Sequence, residues 1–233
     1  MSSRSDIPNR LIYTCNCGWI DIGHLVSVEK PSNRHASAAY LWKDVSLERG
    51  LQVTGKPDHH LVMYRQGMRK FGLSRDFTKF CFIRKGLPLA TQRSVALAIF
   101  KEVSLGFEDV QASLSAFTDS GFSEEDLVSN LLGFYVAVLG NVDWRNHCKP
   151  VSAEASRVVW DTLGPVGSRK NRQFVPKLHA CEECKTKHHI TQPHFPPIFS
   201  SIRPAQQGAD FFEATGSTPG LPVPVHMLST LFV

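Results

Sequence analysis

Two clusters of thiol and imidazole side chains stand near opposite ends of the chain. Cys15 and Cys17 lie just ahead of Asp21 and His24, and Cys181 and Cys184 lie between His179 and the pair His188 and His189. Thiolate and imidazole are the ligands that borderline metals prefer. Cys-x-Cys together with Cys-x-x-Cys therefore predicts a structural zinc held by Cys15, Cys17, Cys181 and Cys184, as suits a reducing compartment. Two other readings stand beside it. The four thiols are unrelated, or Cys181 and Cys184 form a redox dithiol, which Glu182 and Glu183 would oppose by disfavouring thiolate. Cys81, between Phe80 and Phe82, reads as a small buried hydrophobe, and Cys148 stands apart.

Asp21-x-x-His24 can set a carboxylate and an imidazole on one metal, or let the acid orient the base. Equally it can be a capped turn with a surface histidine. Glu102 and Asp109 lie seven residues apart on a helical pattern, with Gly106 and small residues around them. A carboxylate beside apolar surface has a raised pKa, as a general acid requires, though pairing with a nearby Lys or Arg explains it as well. Ser129 and Asn130 are polar groups in an apolar run and need partners. Cys17, if it opened a helix, would be a papain-like nucleophile with a distant histidine as base. Phosphate-binding and dinucleotide-binding glycine patterns are absent.

These residues must be positioned by a chain of 233 residues that is 42% hydrophobic and 20% charged, which is a globular composition. The net charge of +5 is mild and its Lys and Arg are scattered, so no nucleic-acid signature emerges. No apolar run reaches the roughly 20 residues a membrane helix takes. With no export signal apparent after Met1, a cytoplasmic location is the default, and a signal-less secretion route stays open. A turn at Gly18 is expected to lead into a helix carrying Cys17, Asp21 and His24 on one face, with a strand as the competing reading. A helix over Ala36–Arg49, closed by Gly50, is followed by paired strands over Leu61–Tyr64 and Phe77–Arg84, with Gly67–Ser74 connecting them. Thr91–Phe117 reads as a long helix with Val95, Ile99 and Val103 inward, and Ser104, Glu108 and Gln111 on its polar face. Ser123, Glu124, Glu125 and Asp126 look like a cap and acidic first turn for a buried helix over Leu127–Leu139. Ser152–Leu163 is a further capped helix, and prolines dominate from about 170 onward.

The residues Tyr13, Gly18, Trp19, Ile20, Asp21, Ile22, Gly23 and His24 resemble the opening motif of a bacterial family of unknown function, whose members look exported or lipid-anchored. The segments Glu102–Asp109 and Glu125–Asn130 are similar to that family's helical part, so the resemblance covers about 13–140. It implies that Asp21, His24 and Glu102 belong to one site, and it supplies no activity. The cysteine pairs and the missing export signal depart from the family.

The sequence thus predicts an α+β, mostly helical single domain over 11–233 after a flexible 1–10. A small antiparallel sheet precedes a helical core over about 91–164, and an extended proline-rich wrap over about 170–233 follows it. The leading functional expectation is a hydrolase with Asp21, His24 and Glu102 at its site, possible metal assistance, and zinc beside it. The alternatives are a non-enzymatic zinc-stabilised interaction module, whose proline-rich tail docks a protein partner, and a thiol hydrolase centred on Cys17. No substrate is named by any of these readings.

Overall fold

The computed structural model describes residues 2–25, 35–70, 73–113, 121–215 and 224–232. It is 45% helix and 17% strand, an α+β architecture with a four-stranded antiparallel sheet and a separate two-stranded hairpin. Two compact units are distinguishable within it. The first comprises Met1–Ser27 and Glu108–Ser201, the second Val28–Phe107 and Ile202–Val233.

In the first unit, β1 (Leu11–Thr14) and β2 (Gly18–Asp21) form an antiparallel hairpin that pairs Tyr13 with Trp19. The expected helix from Gly18 is therefore a strand. Helix begins only at the single turn α1 (Ile22–Leu25). The competing period-2 pattern wins because alternating aromatic and branched residues find a cross-strand partner here. Tyr13 meets Trp19 edge-on at 5.3 Å, and Trp19 meets Trp160 at 6.0 Å. Gly18 closes the hairpin at φ +65°, and a Cβ there would lie 2.6 Å from the Lys177 carbonyl oxygen. Gly18→Ala should cost about 1–2 kcal/mol in left-handed backbone alone, plus the clash, as read by denaturant titration.

Around the hairpin pack α4 (Asp126–Leu139), α5 (Trp144–Cys148), α6 (Ala153–Leu163) and the short α7 (Glu182–Thr186). Helix α4 is buried along most of its length, as its all-round apolar sequence requires. It comes close to α1: a Cβ on Gly133 would stand 2.7 Å from the Leu25 carbonyl oxygen. Helix α6 starts where Ser152 Oγ accepts from the Ala155 amide, and Gly164 at φ +79° stops it. Before β1, Arg4 holds Asp161 through two bonds of 2.8 and 2.9 Å, and Ile7 is buried in the core.

In the second unit, α2 (Ala38–Ser46) precedes a sheet of order β3-β4-β5-β6, built from Leu51–Gln52, His59–Lys70, Leu73–Arg84 and Phe211–Glu213. The central hairpin is longer than expected. Residues Gly67 and Met68, read as a connection, pair with Asp76 and Arg75. The tail contributes β6, so Phe212 stacks on Phe82 with ring centroids 5.2 Å apart. Phe199 packs instead in the first unit, edge-on to Tyr135 at 5.9 Å. Helix α3 (Leu89–Ser113) ends its described course at Ser113, and residues 114–117 of the expected helix lie outside the described residues. Its polar face is not solvated: Ser104 and Glu108 have no exposure, and Gln111 has 8%. Partners explain this, since Ser104 Oγ accepts from the Gln66 amide at 3.0 Å and Glu108 accepts from the Phe122 amide at 2.6 Å.

Candidate functional site

The hairpin turn sets Cys15 and Cys17 side by side in chain but sends them to different partners. Cys15 is joined to Cys184 and Cys17 to Cys148, across 169 and 131 residues. Cys81 and Cys181 are free and buried. This corrects the zinc expectation. The set Cys15, Cys17, Cys181 and Cys184 cannot offer four thiolates when three of its sulfurs are in disulfides. Among the described residues no group of three or more His, Cys, Asp or Glu could hold a metal ion. The metal-binding and zinc reading fails because Cys148, which seemed to stand apart, takes up Cys17. The same bond removes Cys17 as a free nucleophile.

Asp21 and His24 fall in the first unit and Glu102 in the second. Asp21 has no exposure. It accepts from Arg10 at 2.8 Å and from the Gly23 and His24 amides at 2.8 and 3.3 Å, so it caps the α1 turn. Its own amide donates to Ser129 Oγ at 2.9 Å, which in turn donates to the Glu125 carbonyl at 2.7 Å. That chain accounts for one polar residue inside α4. His24 hydrogen-bonds the Asn130 side chain, which accounts for the other. Burial pushes the His24 pKa below its ordinary value, and its Nδ1 stands 4.0 Å from the Asp126 carboxylate. Glu102 shares Lys79 with Glu213, at 2.6 and 2.7 Å. Asp109 lies 3.6 Å from Arg172 on the surface. Asp21, His24, Glu102 and Asp109 thus each have a structural partner.

The sequence reading missed a buried acidic group in the first unit. Ser123 is not the cap of helix α4, which begins at Asp126 with Glu125 as an N-cap that makes no side-chain cap bond. Instead Glu124, Glu125 and Asp126 turn inward, with exposures of 2%, 1% and 7%. Glu124 pairs with Arg169, and its other oxygen lies within hydrogen-bond distance of His179 Nε2, at 2.6 Å. Glu125 receives the Ser2 hydroxyl at 2.9 Å on one oxygen, and its other oxygen is buried with no hydrogen bond. Glu108 likewise leaves one buried oxygen unbonded. Burial, then the neighbouring carboxylates, pushes the pKa of Glu108 and of Glu125 up to about 7. The same causes raise the Asp126 pKa well above its ordinary value. Desolvation thus favours the neutral form of Glu108, Glu125 and Asp126.

A pocket of about 430 Å³ opens in the first unit between α6 and the segment 179–183. Ala155, Val158, Val159, Leu163, Ala180 and Cys181 form its apolar wall, and Ser152, Glu154, Thr162, His179, Glu182 and Glu183 its polar lining. No Lys or Arg lines it. Val158 projects there with 57% exposure. His179 joins this pocket to the acidic group through Glu124. No protein family, curated protein or solved structure matches the chain.

Proposed function

We propose that the protein is a non-enzymatic binding module, braced by disulfides where zinc was expected, that receives a small apolar molecule in the pocket beside α6. The observation that carries this reading is the pocket itself. A concave, mostly apolar site of about 430 Å³ with a few polar groups at its edge has the size and lining of a small-molecule site. Asp21, His24 and Glu102, in contrast, are engaged in a turn cap, a helix contact and an ion pair. The lining holds the carboxylates of Glu154, Glu182 and Glu183, each paired with a Lys or Arg outside it, and no Lys or Arg of its own, which disfavours fatty acids and other anions and favours a neutral or cationic amphiphile. An oxidising compartment belongs to the same reading, because long-range disulfides persist there. No described helix is long and apolar enough to cross a membrane.

Calorimetric titration with decyltrimethylammonium below its micelle concentration, beside decanoate, tests the reading. The cation should bind saturably and the anion at least about tenfold more weakly, a difference of about 1.4 kcal/mol. Val158→Arg, at an exposed position where folding is little affected, should abolish cation binding. Heat that does not saturate, or binding that Val158→Arg leaves intact, would sink the proposal.

A further inference from the structure

Cys181 is the remaining cysteine of the first unit, and nothing above gives it a role. It is free, 7% exposed, and belongs to the same apolar cluster as Cys15 and Cys184. The other free thiol, Cys81, lies in β5 of the second unit, where burial pushes its pKa up to about 12. Cys181 directly precedes α7, and Cys184 is in its first turn. A Cys-x-x-Cys step of this kind brings two Cα atoms within the ~4.4–6.8 Å that a disulfide spans. Cys181 also forms part of the pocket wall, so open volume adjoins its side chain.

From these placements we infer that Cys15, Cys181 and Cys184 form a three-sulfur exchange site, in which Cys181 displaces Cys15 from Cys184. The Cys181 thiol gives its proton to water, and its thiolate attacks the Cys184 sulfur. A Cys181–Cys184 bond forms as the Cys15–Cys184 bond breaks, and Cys15 leaves as a thiolate that takes a proton from water. One disulfide and one thiol stand on each side, so no outside oxidant or reductant is needed. The product replaces a tie between β1 and α7 with a local one and leaves Cys17–Cys148 in place. The exchange does not depend on what occupies the pocket.

The test is a disulfide map of the full chain, purified without thiol reagents and held at pH 8 for up to a day. Samples are quenched in acid, unfolded, alkylated with N-ethylmaleimide and digested. The expected result is a starting Cys15–Cys184 peptide that declines while Cys181–Cys184 and alkylated Cys15 appear, with a parallel loss of thermal stability. Cys181→Ser should hold Cys15–Cys184 and its stability constant over the same period. Should that variant fold poorly, Cys181→Ala serves, since either removes the attacking sulfur and the Cys17–Cys148 peptide reports folding. A wild-type map that keeps only Cys15–Cys184, begins without it, or joins Cys15 to Cys181 overturns the assignment.

Discussion

Replacing Cys15 and Cys184 together by serine is expected to lower the unfolding temperature by about 10–20 °C. The bond ties residues 169 apart, so it removes much of the unfolded chain's freedom. A chain-entropy estimate for a loop of that size is about 5 kcal/mol. The Cys17–Cys148 bond, over 131 residues, closes a loop nearly as long and overlapping the first. Its loss should have an effect of similar size, and removal of both less than the sum. Calorimetry of the two double variants, and of the wild type with and without a phosphine reductant, measures all three effects. A reductant-insensitive transition would mean that apolar packing around Trp19 and Trp160 carries this unit without the bonds.

The second large effect concerns pH. Glu108 and Glu125 ionise near 4.5 in the unfolded chain and at about 7 in the folded one. Folding therefore favours their protonated form. Their contribution to stability is complete below pH 4.5, declines as the unfolded state sheds protons, and is lost once pH passes 7. For one such group the shift corresponds to about 3 kcal/mol, and the two share neighbours, so they do not simply add. His24 acts the other way: its lowered pKa withdraws stability as pH falls below its unfolded value of 6.5. Chemical denaturation at pH 5 and pH 8 should show a weaker fold at the higher pH. Glu125→Gln keeps an oxygen for the Ser2 hydroxyl and cannot ionise, so it should stabilise the protein at pH 8 and change little at pH 5. Equal stability of variant and wild type at pH 8 would show that Glu125 carries no charge penalty.

The elements that carry strong periodic patterns were legible in the sequence. The β4–β5 hairpin, the apolar helix α4 and the capped helix α6 follow from branched and aromatic runs, an all-round apolar stretch, and Ser152 with Gly164. The cysteines were legible as important but not in their pairing. Six cysteines allow many connectivities, and the choice among them depends on which segments meet in the fold. Local spacing drew Cys181 and Cys184 together, whereas the hairpin sends Cys15 to Cys184 and leaves Cys181 free. The buried acids were missed for a related reason. Carboxylates are rarely buried, so Glu124, Glu125 and Asp126 suggested a solvated helix start. The overlooked signal was that they run directly into an apolar helix, leaving no solvated first turn. Glu108 was hidden similarly, since a polar helix face next to polar partners reads the same as one next to water. The proline-rich tail suggested a partner surface, yet its Phe199 and Phe212 find their partners within the chain.

The pairing of the hairpin-turn cysteines with distant segments has a consequence for synthesis. The chain enters the first unit, leaves it at Ser27 for the second, and returns only at Glu108. Cys15 and Cys17 emerge from the ribosome well before their partners at 184 and 148, which follow 169 and 131 residues later. Both early thiols must wait unpaired while the intervening unit is produced. A truncated product ending before Cys184 carries an orphaned Cys15, and one ending before Cys148 carries two orphans. Such fragments are open to intermolecular crosslinking, so the boundaries of an expression fragment decide whether the thiols find each other or a neighbouring molecule.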